Sequence, residues 1–327
     1  MSRPVRGQSA TPRAGRWRAA VAAAVLVLAA PATVAQTPPG FALDGSLLKR
    51  AANGVLALMQ YSLTPDVTTS SLSIDNGASG NPGYAVTQFG GGFTVSRSVP
   101  LYLEGNAAYS RYDPTYIASN GAEQREVALK WNTANATGGI GWDFPIASDL
   151  VLRPILNFSF GRVASDVTLF GRLIEWESGE DLAFIDGGEL KTRGLGGSLM
   201  LDYEHYRPGY EIDVEARYND IRLRSYDSSK LVEGNFNARN LNVWARWRAP
   251  TGYVVMERPL RYVLESTFSN YYTAIDALGF DRLLSLGAGI EFDSTKYDII
   301  VTRTRLMVRA VRGNNVQGYS VGFAVSF

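Results

Sequence analysis

The chain has 327 residues, with 32 basic and 31 acidic side chains, one histidine and no cysteine. A net charge of +1 excludes the basic footprint of a nucleic-acid-binding protein. The absence of cysteine excludes disulfides, thiolate nucleophiles and cysteine-based zinc sites.

Residues 1–35 have the three parts of a secretory signal peptide. Arg3, Arg6, Arg13, Arg16 and Arg18 form a basic region, Ala19–Ala30 an apolar run of 12 residues, and Thr33-Val34-Ala35 a small-residue cleavage site before Gln36. The run falls short of the ~20 residues a spanning helix needs; an uncleaved interfacial anchor is the competing reading. No other run is as long. A secreted chain of this kind is either soluble or crosses a membrane as a closed barrel, whose backbone groups are satisfied between strands. The composition fits the barrel: 46% of residues are hydrophobic, yet mean hydropathy is −0.07, as alternation of apolar and polar residues produces.

Residues 36–66 form an N-terminal segment with one helical stretch, from Asp44 to about Tyr61. Leu43, Leu47, Ala51, Val55 and Leu58 recur at helical spacing. Asp44 is a suitable N-cap, and Gly54 weakens the helix by ~1 kcal/mol. Its length, roughly 27 Å, nearly matches an apolar band about 25 Å tall. Three placements fit: a plug threaded through a pore, a periplasmic arm, or an additional strand over 55–63.

From residue 67 to 327 the pattern is strand-like. Twelve strands are predicted, at 67–75, 83–96, 99–112, 124–142, 149–166, 190–206, 209–226, 236–248, 260–271, 282–293, 296–309 and 315–327. The even number suits a single-chain transmembrane antiparallel β-barrel, an all-β fold. Short turns at Ser96–Val99, Phe144–Ser148, Arg207–Pro208 and Asp293–Lys296 alternate with longer links at 76–82, 113–123, 167–189, 227–235 and 272–281. Periplasmic turns and extracellular loops alternate in this way, which places both chain ends on the periplasmic side. The link 249–259, with Pro250, Gly252 and Pro259, is too long for this scheme.

The strands sort their residues by face. Tyr210, Ile212, Val214, Ala216 and Tyr218 alternate with Glu211, Asp213, Glu215, Arg217 and Asn219. The polar set is the predicted pore lining: Glu104, Arg153, Asp202, Glu204, Asp213, Glu215, Arg217, Arg246, Arg248, Glu291, Arg303 and Arg305, with Glu211 and Glu265 in the same rows. Acids gather on the sixth and seventh strands and bases on the eighth and eleventh. Either this sets a transverse field that selects ions, or the charges pair with one another or with a plug, as buried charges require. Lys49 and Arg50 are the plug's cations. Twelve strands leave room for about one helix ~10–12 Å across. Outward aromatics near strand ends, such as Tyr109, Trp142, Tyr203 and Trp247, fit interfacial girdles.

Enzymatic chemistry is poorly supplied. A Ser–His–acid site must use His205, which lies by strand counting at the periplasmic end of the sixth strand and reads as an interface residue. One histidine without cysteine makes no usual zinc site. Glu175, Glu177, Glu180, Asp181 and Asp186 read as a solvated acidic loop before a calcium site. Gly90-Gly91-Gly92 lacks the Lys-Ser/Thr of a phosphate loop and reads as a bulge or close approach in a strand. No catalytic residue, metal or cofactor is predicted.

The last strand carries a second address. Tyr319, Val321, Phe323, Val325 and Phe327 alternate with Gly318, Ser320, Gly322, Ala324 and Ser326. Ending on an aromatic residue, the pattern resembles the signal read by the barrel-assembly machinery. That implies the machinery, periplasmic chaperones and outer-membrane lipid as partners, with a Gram-negative outer-membrane location.

Three stretches carry a wider resemblance: Gln88-Phe89-Gly90-Gly91-Gly92-Phe93, then Pro100-Leu101-Tyr102-Leu103-Glu104-Gly105 with Tyr109-Ser110-Arg111-Tyr112-Asp113-Pro114, then Gly138-Gly139-Ile140-Gly141-Trp142-Asp143-Phe144-Pro145 with Leu152-Arg153-Pro154. Together they resemble the solitary autotransporter-like β-barrel domains of outer membranes. The resemblance implies a twelve-stranded translocator barrel with a helix through its pore. About thirty residues separate the cleavage site from the first strand, so no passenger is expected. The expected function is a plugged or weakly conducting pore. The alternatives are a structural or adhesive barrel presenting loop 167–189, a small-solute diffusion porin and, last, an outer-membrane hydrolase.

Overall fold

The computed structural model describes residues 53–54, 56–74, 83–113, 115–119, 124–128, 130–165, 189–226, 234–273, 279–293 and 303–326. The predicted signal peptide, most of the predicted helix with Lys49 and Arg50, the acids of loop 167–189, the turn 294–296 and Phe327 lie outside these residues.

The strands are β1 (Val67–Ile74), β2 (Gly83–Thr94), β3 (Leu101–Asp113), β4 (Thr115–Ser119), β5 (Gln124–Ala128), β6 (Trp131–Trp142), β7 (Phe144–Ala147), β8 (Leu150–Ser165), β9 (Glu189–Arg207), β10 (Tyr210–Tyr226), β11 (Asn235–Val255), β12 (Arg258–Tyr271), β13 (Arg282–Asp293), β14 (Arg303–Gly313) and β15 (Val316–Ser326). Twelve of them close into an antiparallel barrel: β1 pairs with β15, and β6 joins β3 to β8. β7 adds to the edge of β8, and β4 pairs with β5 in a separate hairpin. The predicted strand 124–142 is therefore two elements, β5 and β6, and β4 has no counterpart in the prediction.

The faces are inverted relative to a soluble protein. Polar side chains such as Asn106, Ser110, Thr133, Asn157 and Arg217 are buried inside. Phe89 (68% exposed), Leu195 (64%), Phe160 (59%) and Leu286 (58%) face outward. The period of two puts every second residue on the outer face, and an outward apolar band around a polar interior is the arrangement of a membrane-spanning barrel.

The predicted link 249–259 resolves into strand. β11 continues past an irregularity between Pro250 and Val254 and pairs Val255 with Arg258. The hairpin closes on Met256 and Glu257, both with positive φ (51° and 62°), as a two-residue I′ turn requires. The wall thus has one end of mostly short turns, including 208–209 and 256–257, and an opposite end of longer connections. Gly313 and Val316 also pair across a tight turn at the long-loop end.

The N-terminal segment enters the barrel. Residues 53, 54 and 56–59 are helical and run into a 3-10 turn, Gln60–Ser62. Leu56, Ala57, Leu58, Met59 and Leu63 are buried in one cluster to which all twelve wall strands contribute, among them Tyr84, Trp131, Val163, Leu190, Ile221 and Phe236. At this long-loop end the inward rows change from polar to apolar: on β10, Arg217 and Asn219 give way to Ile221 and Leu223. Inward side chains also satisfy the segment's polar groups. Tyr84 Oη donates to the Leu58 carbonyl (3.2 Å), Asn106 Nδ2 to the Ser62 carbonyl (2.6 Å), and Asn219 and Asn242 Nδ2 to Thr64 Oγ1 (both 3.3 Å).

β1 is the shortest wall strand, with eight residues. It begins where Val67 meets Phe89 of β2 and Thr68 meets Gly322 of β15. Below that level β2 runs on to Thr94 and β15 to Ser326. Among the described residues, no strand lies between those two edges.

Candidate functional site in the barrel lumen

Below the buried N-terminal segment the lumen is charged, and strand register sets which charges meet. Asp213 of β10 faces Arg246 of β11, which faces Glu265 of β12. Nearer the short-turn end, Arg261 of β12 faces Glu291 of β13, which faces Arg305 of β14. Each row alternates in sign, so opposite charges lie across neighbouring strands, where they attract.

Contacts follow the rows and cross them. Glu265 accepts from Arg246 (2.9 Å) and from Arg309 (2.6 Å). Glu291 accepts from Arg305 (2.6 Å) and lies 3.5 Å from Arg248, which also donates to Asp213 at 2.6 Å. Glu211 accepts from Arg261 (2.7 Å) and Arg303 (2.9 Å). Gly287 makes room for the Arg309–Glu265 contact, because a Cβ there would lie 2.7 Å from Arg309 Cγ.

A second group sits on the opposite wall. Arg217 of β10 grips Glu104 of β3 with two hydrogen bonds of 2.7 Å. β6, β8 and β9 stand between those strands in the wall, so this pair spans the lumen. Bidentate guanidinium–carboxylate pairs are among the stronger charge-assisted contacts. Asn157 Nδ2 also donates to Glu104, at 2.6 Å. Gly139 leaves the room: a Cβ there would lie 2.5 Å from Glu104 Oε1. Arg153 bridges Asp143 and Asp202 (3.0 Å to the latter) and lies 4.0 Å over the ring of Tyr102.

The predicted pore lining is thus mostly tied together. Glu104, Arg153, Asp202, Asp213, Arg217, Arg246, Arg248, Glu291, Arg303 and Arg305 all have ionic partners. Two acids stand apart. Glu215 has no hydrogen bond or ion pair to any described residue, although it faces Asp202 across the β9–β10 ladder. Glu204 is exposed and accepts only a 3.4 Å hydrogen bond from Tyr206, among the described residues. Arg261, Arg309 and Asp143 belong to the lattice and were missing from the prediction. Arg261 shares the parity of Glu265, and Arg309 that of Arg303 and Arg305, so alternation alone carried the signal for both. Asp143 lies one residue past its strand, where alternation stops.

Free space remains between the N-terminal segment and the short-turn end, as adjoining cavities of about 310 and 580 Å³. Both are lined by Thr64, Pro65, Glu215, Trp244, Arg246 and Arg305. The larger reaches Arg153, Arg217 and Arg303.

No family model matches the chain, and no curated protein matches it. Solved structures similar in shape include three autotransporter barrels. The β domain of the Bordetella autotransporter BrkA is 15% identical, over 80% of this chain and 96% of its own, with a TM-score of 0.46. The transport unit of AIDA-I from Escherichia coli is 14% identical, over 85% and 99%, with a TM-score of 0.47. The translocator domain of NalP from Neisseria meningitidis is 9% identical, over 87% and 100%, with a TM-score of 0.43. At such values the fold rests on the strand register itself.

Tyr319, Val321 and Phe323 are exposed on the outer face of β15; the side chain of Val325 is outside the description. His205 lies near the short-turn end, with Nδ1 2.7 Å from Asp149 Oδ2 and its ring stacked on Tyr203. Among the described residues, no group of three His, Cys, Asp or Glu side chains is placed to hold a metal.

Proposed function

We propose that this chain is an outer-membrane barrel of autotransporter-like shape whose lumen is stoppered, making it a closed or weakly conducting pore. One observation carries the reading: Leu56, Ala57, Leu58, Met59 and Leu63 are buried in one cluster with side chains from all twelve wall strands. The outward apolar band supports membrane insertion. The alternation of connections supports placing the long-loop end outside the cell and the short-turn end in the periplasm. In this reading residues 1–35 are removed near Ala35, the assembly machinery and periplasmic chaperones act through the last strand, and lipid is the solvent of the outer face. His205 is an interface residue and no reaction is assigned.

The test is single-channel conductance in a planar bilayer, comparing residues 36–327 with residues 63–327. The stoppered pore predicts a silent longer chain and a shorter one that conducts in discrete steps. Equal conductance from both would falsify the stopper and favour a diffusion porin. Silence from both would mean that the arginine–carboxylate lattice closes the lumen, leaving the surface loops as the place of function.

A further inference from the structure

At the long-loop end the outer face of the barrel carries a concentration of positive charge. Arg162 of β8, Lys191 and Arg193 of β9, and Arg222 and Arg224 of β10 occupy outward positions on adjacent strands. The register sets Arg193 opposite Arg224. Like charges directly opposite one another destabilise an antiparallel pair, so an anion between them is favoured. Among the described residues, Arg222 and Arg224 make no hydrogen bond or ion pair, and Arg193 meets the ring of Tyr226 alone, at 5.9 Å. The nearby acid Asp220 is engaged by Arg239 at 3.1 Å.

Immediately below this patch the outer face turns apolar. Phe160 faces Arg193, Leu195 faces Arg222, and Tyr218 is the next outward residue but one on β10; all three are exposed. The cations therefore sit on the upper rim of the hydrocarbon-facing band, at headgroup depth. A ligand that fits carries phosphate groups at that depth and acyl chains along the band beneath. Guanidinium groups suit phosphate because they present paired donors. We propose that Arg193, Arg222 and Arg224 bind the headgroup phosphates of an anionic, multiply acylated lipid in the outer leaflet. This rests on the orientation proposed above.

The test uses residues 36–327 refolded in phosphatidylcholine nanodiscs doped with bis-phosphorylated lipid A or with its dephosphorylated form. Heat-modifiable electrophoretic mobility reports folding, and native mass spectrometry reports retained lipid. The expected result is at least tenfold more retention of the phosphorylated form, abolished in R193Q/R222Q/R224Q. The control R111Q/R282Q/R312Q, altering outward cations on other strands at the same end, should retain it. Equal retention of the two lipids, or by the first variant and the unaltered chain, overturns the patch while leaving the barrel standing. A chain that fails to fold in any bilayer overturns both.

A second inference stands on the short first strand. Two unpaired edges, Gly90–Thr94 and Phe323–Ser326, border a slot one strand wide, and open edges are not tolerated in hydrocarbon. The residues just before β1 have the pattern to fill it. Thr68 and Ser70 face inward, and the same parity carried back puts Ser62, Thr64 and Asp66 inward and Leu63 and Pro65 outward. Continuing the register sets Asp66 opposite Gly90 and Ser62 opposite Thr94, and Thr64 opposite Ser326. The strap matches the β2 edge residue for residue and runs beyond the β15 edge, whose last described residue, Ser326, is reached at Thr64. We infer that residues 62–66 exchange between the lumen and the wall, and that entry into the wall lengthens β1 and withdraws the helix.

Engineered cysteine pairs read each state without background, since the chain has no cysteine. S62C/N135C joins groups in contact in the lumen position, where Ser62 Oγ donates to Asn135 Oδ1 at 3.1 Å. L63C/F93C joins positions that face each other only in the wall position. Both pairs should cross-link in membrane-inserted protein, the second giving a conducting channel and the first a silent one. Cross-linking of the first pair alone, with and without applied voltage, overturns the exchange.

Discussion

Gly139 and Gly287 shape the lumen by what they lack. Each leaves the space through which a longer side chain reaches its partner, Glu104 in one case and Arg309 in the other. Gly139→Ala should displace the Glu104 carboxylate and cost about 1–3 kcal/mol, as overfilling a packed site does; urea unfolding followed by tryptophan fluorescence checks this. Arg217→Leu should cost more, about 3–5 kcal/mol, because it strands a buried carboxylate. Adding Glu104→Leu should recover most of that loss, since neither member of this pair is then left as a lone charge. Failure of the double variant to recover would mean that Arg217 matters for shape and not for charge. Alternation in the sequence announces which residues face inward, but not their partners. Glu104 and Arg217 are 113 positions apart, and only the curvature of the wall brings them together.

Among the elements, the strands were readable because membrane strands advertise themselves twice, once by period and once by turn. The predicted 282–293 coincides with β13, and 190–206 falls one residue short of β9 at each end. Failures came where one signal was missing. Met256 and Glu257 hold left-handed conformations without the Asn or Gly that normally marks them, so the β11–β12 hairpin looked like a loop. M256N/E257G should stabilise the barrel by roughly 1 kcal/mol by relieving that strain, measured as a shift in the urea midpoint. The helix showed its spacing but not its location. The cue to the location was in the wall, in the switch from Asn219 to Ile221 and Leu223. Leu56→Asp, which places a charge in that apolar collar, should release the plug and raise the conductance of residues 36–327 to that of residues 63–327. Unchanged silence would mean that the polar contacts of Ser62 and Thr64 hold the segment without the collar.

On the scale of the whole molecule, the interior cations of the lattice are arginines: Arg153, Arg217, Arg246, Arg248, Arg261, Arg303, Arg305 and Arg309. Guanidinium keeps its charge across the accessible pH range and presents a planar fork to carboxylates. The pair spanning from β3 to β10 has a consequence for how such a molecule can be made. A flat sheet keeps β3 and β10 apart, so Glu104 and Arg217 cannot meet until the wall from β3 through β6, β8 and β9 to β10 has curled. Until then, insertion into lipid would carry bare charges into hydrocarbon at high cost. Threading strands into the bilayer one by one is therefore the unfavourable order, and the curling of the sheet and its entry into lipid are bound into a single event.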